Sequence, residues 1–190
     1  MRSIVTAARI ALILVLAVPA VPLAQSAAAV ATPSIFLVTP GLGVGQWTVD
    51  GKLADYIFVM GDTIVAETDP SGTDLVFRPE LQEKNWPATP RIFVVYPVAS
   101  NTIWAVGTND PNAQTVDKVG VGSTEQQITA VYQSPETTLG LPLRSRTLIY
   151  DARGIAFEFE FVPATGQFSS QVGRVFVFRP GQAKSIWRVP

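Results

Sequence analysis

The sequence predicts an α+β protein made of two tandem repeats, each a short helix packed on an antiparallel β-meander. Three observations support this prediction: a duplicated segment, a segment that alternates strictly between apolar and charged residues, and a short capped helical segment. Because β-branched and aromatic residues concentrate in short runs separated by turns, a mainly-β sandwich or barrel is the alternative.

The duplication relates residues 91–106, RIFVVYPVASNTIWAV, to residues 174–189, RVFVFRPGQAKSIWRV. Seven of the sixteen positions are identical at a constant offset of 83, whereas about one match is expected from ordinary composition. Each copy combines an arginine-led apolar segment, a proline turn and an Ile-Trp pair. We therefore expect each repeat to contain two strands in this segment, the second of them carrying the Ile-Trp pair.

A second landmark marks the beginning of each repeat. The tripeptide Gly-Val-Gly occurs at residues 43–45 and again at residues 120–122. The order of the landmarks predicts repeat 1 over residues 36–108, a turn-rich linker over 109–114 and repeat 2 over 115–190.

One helix is predicted in each repeat. In repeat 2, Ser123 can cap a helix together with Gln126, because the two residues have the spacing of a capping box. This helix is expected to end at Ser134, since the residue before a proline avoids helical backbone. The helix of repeat 1 is predicted over residues 49–60, where apolar residues recur at helical spacing.

The strands are predicted from alternation and from β-branched and aromatic content. In AFEFEF, residues 156–161, the period is two, so the phenylalanines are expected to face the core and Glu158 and Glu160 to face water. The strands of repeat 2 are predicted over 146–150, 154–162 and 173–178. Those of repeat 1 are predicted over 63–68, 74–77, 91–96 and 101–106.

Residues 1–26 have the pattern of a secretory signal peptide. Arg2 and Arg9 flank the start of an apolar run from Ile10 to Val21, and small residues follow the run. The run is shorter than the ~20 apolar residues of a spanning helix, so we expect only a transient contact with the membrane during export. Cleavage would leave 12 basic and 15 acidic side chains, a net charge of −3, on a secreted or periplasmic protein.

The chain contains neither cysteine nor histidine. Without cysteine there is no disulfide framework or thiol nucleophile, and without histidine the usual general acid–base residue and the commonest metal ligand are missing. The net charge of −1 offers no basic surface for nucleic acid. The composition therefore favours a protein that is not an enzyme, that carries no cofactor or metal and that does not bind nucleic acid.

Repeat 2 contains an ordered set of short motifs. Gly120-Val121-Gly122-Ser123-Thr124 precedes the helix, Tyr132-Gln133-Ser134-Pro135 ends it, and strands follow. This order resembles the pattern of the β-lactamase-inhibitor-protein-like fold, which the small lipoproteins of the bacterial outer-membrane assembly machinery share. The sequence departs from that pattern at Gln133, where members usually have glycine, and it lacks the cysteine that is lipidated in the assembly lipoproteins. The resemblance covers mainly residues 118–180 and implies helix-on-sheet units in tandem and a protein-binding role.

Two carboxylates are candidate functional residues. Glu158 and Glu160 lie on one face of a predicted strand, about 7 Å apart by the rise of a strand. Paired carboxylates at such spacing occur in glycoside hydrolases. The structural alternative is a solvated sheet face on which these charges are balanced by neighbours such as Arg174.

The aromatic residues offer candidates for contact with a partner. Trp86 stands among polar and proline residues and has no equivalent in repeat 2, so it is the candidate anchor, and Tyr56 and Phe58 on the first helix are further candidates. Trp104 and Trp187 occupy equivalent positions in the two repeats, and we expect them in the core.

These observations predict an exported, non-enzymatic protein-binding module of the bacterial envelope or secreted space, inhibitor-like or assembly-like. Its two sheets are expected to form a slightly concave, exposed face. The alternative is a periplasmic protein that binds a small apolar ligand or a lipid, which requires an apolar pocket of about 300 Å³ or more. A hydrolase is the third hypothesis, and it requires Glu158 and Glu160 enclosed in one cleft.

Overall fold

The computed structural model describes residues 37–54, 65–66, 81–86, 92–97, 99–100 and 102–187, and of residues 65–66 and 81–86 it describes the backbone. The strands are β1 (Val38–Thr39), β2 (Gly43–Val44), β3 (Trp47–Thr48), β4 (Val65–Ala66), β5 (Leu81–Trp86), β6 (Ile92–Pro97), β7 (Ala105–Thr108), β8 (Thr137–Leu141), β9 (Ser145–Tyr150), β10 (Ile155–Val162), β11 (Gln167–Phe168) and β12 (Arg174–Phe178). The helices are α1 (Glu125–Tyr132), a 3₁₀ turn (Asp151–Arg153) and α2 (Ala183–Ile186).

Most of these strands form one antiparallel sheet, in the order β4-β5-β6-β7-β12-β10-β9-β8, with β11 paired to β10. The strands from the two predicted repeats meet at β7 and β12, where Val106 lies opposite Val177. β1, β2 and β3 form a separate three-stranded sheet. The predicted antiparallel α+β architecture is confirmed, and the path of the described strands is open at β4 and β8 instead of closing into a barrel.

Both faces of the central strands are buried. The first face is covered by α1, through Ile128, and by the three-stranded sheet, through Trp47. Its cluster includes the two buried phenylalanines of β10, Phe157 and Phe159, as predicted. The second face is covered by α2 and the residue after it. Its cluster includes Phe93, Val95, Phe176, Phe178, Ile186 and Trp187.

The start of α1 follows the predicted capping chemistry, shifted by one residue. The Oγ1 of Thr124 accepts the N–H of Gln127 at 3.3 Å, and the Gln127 side chain accepts the N–H of Thr124 at 2.8 Å. The predicted pair of Ser123 and Gln126 is wrong, because the hydroxyl of Ser123 accepts the N–H of Gly120 at 3.0 Å instead.

Several predicted elements differ from the structure or lie outside its described residues. The Ile-Trp segment of repeat 2 does not form a strand, because α2 occupies Ala183–Ile186 after the Pro-Gly turn. The helix predicted over 49–60 begins no earlier than residue 53, and its residues 55–60 lie outside the described part of the chain. The predicted signal peptide and the strand over 74–77 also lie outside it. Six strands were not predicted: the two-residue strands β1, β2, β3 and β11, and the longer strands β5 and β8, whose polar and glycine content is typical of loops.

The end of α1 has unusual backbone geometry. Gln133 has φ 67° and ψ −151°, a region in which a β carbon is crowded and which essentially only glycine occupies. Its N–H donates to the carbonyl of Thr129, and its own carbonyl accepts the hydroxyl of Tyr150 at 3.0 Å. Tertiary contacts therefore hold a non-glycine residue in a conformation that usually requires glycine.

We expect the Gln133→Gly variant to be more stable than the native protein by about 0.5–2 kcal/mol. Removal of the β carbon relieves strain of about 1–3 kcal/mol, and the greater freedom of glycine in the unfolded chain offsets part of this gain. Chemical denaturation measures the change. Gln133→Ala keeps the β carbon and is the control, and an equal gain from both variants would show that backbone strain is not the cause.

Candidate functional site

Glu158 and Arg174 form a buried ion pair on the second face of the sheet. They lie opposite each other on β10 and β12, and the Nε of Arg174 is 2.7 Å from the Oε1 of Glu158. The guanidinium also lies over the rings of Phe93 and Phe176, 5.2 Å and 5.0 Å from their centroids. Arg174 thus balances Glu158 as anticipated. The prediction that Glu158 faces water is wrong, because the second face of the sheet is buried as well as the first.

A hydroxyl group lies beside this ion pair. Thr147 on β9 is the cross-strand neighbour of Glu158, and both residues are buried. In the described part of the chain, the Oγ1 of Thr147 and the Oε2 of Glu158 have no hydrogen-bond partner. A buried oxygen atom without a hydrogen bond lowers the free energy of unfolding by about 1–3 kcal/mol. The cluster therefore combines one stabilising ion pair with two unpaired oxygen atoms.

Glu160 is in a different environment from Glu158, although the two lie on one strand face. Glu160 is exposed, whereas Glu158 is 2% exposed. One carboxylate is therefore neutralised by an arginine in the protein interior and the other is solvated. These two residues do not form the enclosed pair that the hydrolase hypothesis requires.

The predicted aromatic candidates have separate outcomes. Trp86 is the last residue of β5, and its backbone lies opposite Ile92. Tyr56 and Phe58 lie outside the described residues. Trp187 is fully buried, and Trp104 is half-buried against the same cluster.

An exposed apolar surface that the sequence did not reveal lies at one end of the sheet. We call it the tip cluster, and it consists of Leu143, Phe161 and Phe168. Leu143 is 74% exposed in the turn between β8 and β9, and the rings of Phe161 and Phe168 meet across β10 and β11 at 5.8 Å. The N–H of Phe161 donates to the carbonyl of Arg144, which brings the turn beside the hairpin.

The backbone at Leu143 is also unusual. Leu141 pairs with Ser145, so three residues form the turn, and Leu143 has φ 59°. The N–H of Arg144 donates to the carbonyl of Leu141 at 3.1 Å, so Leu143 is the third residue of a β-turn, where a positive φ usually requires glycine or asparagine. The absence of glycine or asparagine from Pro142-Leu143-Arg144 is the reason that sequence reasoning missed the hairpin.

A cavity of about 220 Å³ lies among residues from three distant segments. It is lined by Val49, Asp50, Trp104, Arg179 and Gln182. Asp50 and Arg179 form an ion pair in which both side chains are about half exposed, so the cavity is accessible from solvent.

Tyr132 and Tyr150 pack between α1 and the sheet. Their ring centroids are 5.3 Å apart, and Tyr150 donates to the carbonyl of Gln133. Burial, together with the nearby charges of Glu125 and Glu136, raises the pKa of Tyr150 to about 12. Burial also raises the pKa of Tyr132. Both phenols are therefore neutral over the physiological range.

Two further findings concern the part of the chain that the structure describes. It contains no group of three or more acidic, histidine or cysteine residues that could hold a metal ion. None of its helices has the length and apolar character needed to cross a membrane.

No model of a known protein family matches the chain, and no curated protein matches it. Among the solved structures that match are two with 14% sequence identity to this chain. The DUF4309 family protein YjgB from Bacillus subtilis has a TM-score of 0.43, with 72% of this chain and 84% of that chain covered. A cysteine-rich secretory protein from Staphylococcus aureus has a TM-score of 0.41, with 77% of this chain and 50% of that chain covered, so this chain spans half the length of that protein. Neither match assigns a function.

We expect Glu158→Gln to lower the free energy of unfolding by about 2–4 kcal/mol, because it removes the charge that balances a largely buried guanidinium. Glu160→Gln alters an exposed carboxylate on the same strand and is the matched control, with an expected change below about 0.5 kcal/mol. Denaturant titration measures both variants. Similar losses in the two would contradict the assigned difference between the buried and the solvated carboxylate.

Tyr150 should also make stability depend on pH at the alkaline end. Because its folded pKa of about 12 exceeds the ordinary value of 10.0, its contribution is complete below pH 10 and is lost as the pH rises from 10 towards 12. Tyrosinate absorbance of the native protein should show a step near pH 12 that Tyr150→Phe lacks. Titration of all four tyrosines near pH 10 in the folded protein would refute this assignment.

Proposed function

We propose that the protein is an exported, non-enzymatic protein-binding module of the bacterial envelope or secreted space, and that the tip cluster is its binding surface. The observation that carries the proposal is Leu143, an exposed leucine held in left-handed backbone. Positive φ disfavours a residue with a β carbon, and an exposed apolar side chain lowers solubility, so neither property favours leucine at this position. Backbone strain concentrates at functional sites, so a contact with a partner accounts for both departures.

The neighbours of Leu143 have the chemistry of a protein-binding surface. Phe161 is half-buried and Phe168 is 36% exposed, and their contact orients both rings at the end of the sheet. Aromatic residues in such positions supply a large contact area with few rotatable bonds, which lowers the entropy lost on binding. Arg144, Glu160 and Gln167 are exposed around them and give the apolar centre a polar rim.

The geometry favours this function over the two other hypotheses. Among the residues that the structure describes, the cavity lined by Val49, Asp50, Trp104, Arg179 and Gln182 has a volume of about 220 Å³ and includes an ion pair, and this cavity lacks the larger apolar lining of a site for an apolar ligand or lipid. Glu158 and Glu160 differ in burial and share no cleft. Because both faces of the central strands are buried, these strands offer no exposed concave face to a partner. We therefore place the proposed contact at the end of the sheet.

Export and gene duplication are part of the proposal. Export is supported by the charged and apolar pattern of residues 1–26. Duplication is supported by the Gly-Val-Gly motifs, which have one local role in both halves. A β carbon on Gly43 would lie 1.9 Å from the carbonyl oxygen of Trp47, and one on Gly120 would lie 2.0 Å from that of Ala113. The third residue of each motif has positive φ, 56° at Gly45 and 83° at Gly122.

The resemblance to the inhibitor-like fold is likewise a proposal. It is supported by the positive φ of Gln133 at the position where that pattern has glycine. It is also supported by α1, which packs on the antiparallel strands of repeat 2 through Ile128.

Site-specific photo-crosslinking tests the proposal. A photoreactive residue at position 168, in the protein produced in its native host, should give a discrete adduct with a protein. The variant Leu143→Gly in the same chain should reduce that adduct at least about fivefold, a loss of about 1 kcal/mol in binding. The same substitution should stabilise the isolated fold by about 0.5–1 kcal/mol, because strain at the turn is relieved.

The control places the photoreactive residue at position 42. Leu42 is also exposed, at 64%, but its turn lies at the opposite end of β10, where the N–H of Gly41 donates to the carbonyl of Gly154. An adduct that forms equally at both positions, or that is insensitive to Leu143→Gly, would overturn the assignment of the tip cluster.

A further inference from the structure

We propose that the cavity lined by Val49, Asp50, Trp104, Arg179 and Gln182 binds a neutral, hydroxyl-rich ring, such as a single hexose unit. This site is separate from the tip cluster. Arg179 directly follows β12, whose end lies beside the start of β10, whereas the tip cluster lies at the end of β10. The inference therefore goes beyond the proposed protein-binding function and does not depend on it.

The backbone holds one wall of the cavity in place. The N–H of Asp50 donates to the carbonyl of Ile103 at 2.8 Å, and the N–H of Ile103 donates to the carbonyl of Gly51 at 2.9 Å. These bonds fix the backbone of Asp50 next to that of Trp104, whose backbone N–H donates to the carbonyl of Val95 on β6 at 2.8 Å. The backbone that carries the carboxylate and the indole is thus fixed before any ligand arrives, which lowers the entropy cost of binding.

The opposite wall is a tight turn between β12 and α2. The N–H of Gln182 donates to the carbonyl of Arg179 at 3.1 Å, and the N–H of Ala183 donates to the carboxylate of Asp151 at 3.0 Å. This turn positions the Arg179 and Gln182 side chains over the cavity from a segment far away in the sequence.

The charges of the lining favour a neutral ligand. Asp50 and Arg179 already neutralise each other, so a ligand of either sign would be attracted by one and repelled by the other. The guanidinium has five N–H donors and the carboxylate about four acceptor sites, and one ion pair uses only part of them. A ligand whose groups both donate and accept, as hydroxyl groups do, can bond to both residues and to the Gln182 amide.

Trp104 supplies the apolar part of the site. Its repeat equivalent, Trp187, is fully buried, whereas Trp104 is half-buried and lines the cavity. Two residues that descend from one position would therefore have diverged, one into the core and one to the surface. An indole face beside polar groups suits a ring that has an apolar C–H face and a hydroxyl-bearing rim.

The size of the cavity agrees with this ligand class. The cavity of about 220 Å³ is below the ~300–1,000 Å³ of sites for drug-sized ligands, so it fits one ring and not an oligosaccharide or a lipid.

Nuclear magnetic resonance of the purified, ¹⁵N-labelled protein tests the proposal. The chain has four tryptophans, so the indole signal of Trp104 can be assigned by its loss in Trp104→Phe. Glucose and N-acetylglucosamine are the neutral probes, and glutamate and inorganic phosphate are the charged ones. We expect a saturable shift of the Trp104 signal with at least one sugar at a Kd of about 1 mM, and weaker binding of both charged probes.

Two variants make the result specific to the cavity. Asp50→Asn keeps the shape of the side chain but removes its charge, and we expect it to weaken sugar binding about tenfold. Asp117→Asn changes an exposed aspartate outside the cavity and should leave the affinity unchanged. No saturable shift with either sugar, charged probes that bind as tightly as the sugars, or equal effects of the two variants would each overturn the proposal.

Discussion

The pairing of β7 with β12 is the interaction on which the rest of the structure depends, because it joins the strands of the two halves in one sheet. Four residue pairs form it, from Val175 opposite Thr108 to Phe178 opposite Ala105. At its centre, Gly107 leaves room for the ring of Phe176, since a β carbon on Gly107 would lie 2.6 Å from that ring. The close fit lets the aromatic side chains of both halves share one cluster on the second face.

The burial of both faces determines where charge and function can lie. A carboxylate on a central strand leaves water when the sheet is covered, so Glu158 requires the counter-charge of Arg174, and breaking such a pair is costly. The exposed side chains that could bind a partner or a ligand therefore lie at the ends of the strands. The tip cluster lies at the end of β10 and the cavity beside the end of β12, and because the two strands are antiparallel these sites lie at opposite ends of the sheet.

Each of the two proposed sites contains a residue other than glycine with positive φ. Among the described residues, four that are not glycine have positive φ: Asp50, Lys118, Gln133 and Leu143. Asp50 lines the cavity, Leu143 belongs to the tip cluster, and Gln133 ends the helix that covers the first face. At Gln133 and Leu143 the local preference of the residue disagrees with the conformation that the fold imposes, whereas aspartate at position 50 tolerates left-handed backbone. Such disagreement is expected where a sequence serves a function as well as stability.

The sequence by itself determined the elements that depend on local periodicity and capping. The alternation over residues 156–161 predicted β10 and the burial of Phe157 and Phe159, but not the partial exposure of Phe161. The two similar segments predicted β6 and β12, and the capping pattern placed the start of α1 to within one residue. These signals are local because they follow from the geometry of neighbouring residues along the backbone.

Only the tertiary structure decided the burial of Glu158 and the position of the candidate sites. The alternation in β10 shows that two faces differ, but not that α2 and Trp187 cover the second one. The register of β8 on β9 places Leu143 in left-handed backbone. The turn of residues 142–144 contains no glycine that would have indicated this conformation from the sequence. The cavity unites Asp50, Trp104 and Arg179, which are far apart in the chain, and packing between distant segments leaves no mark in local sequence patterns.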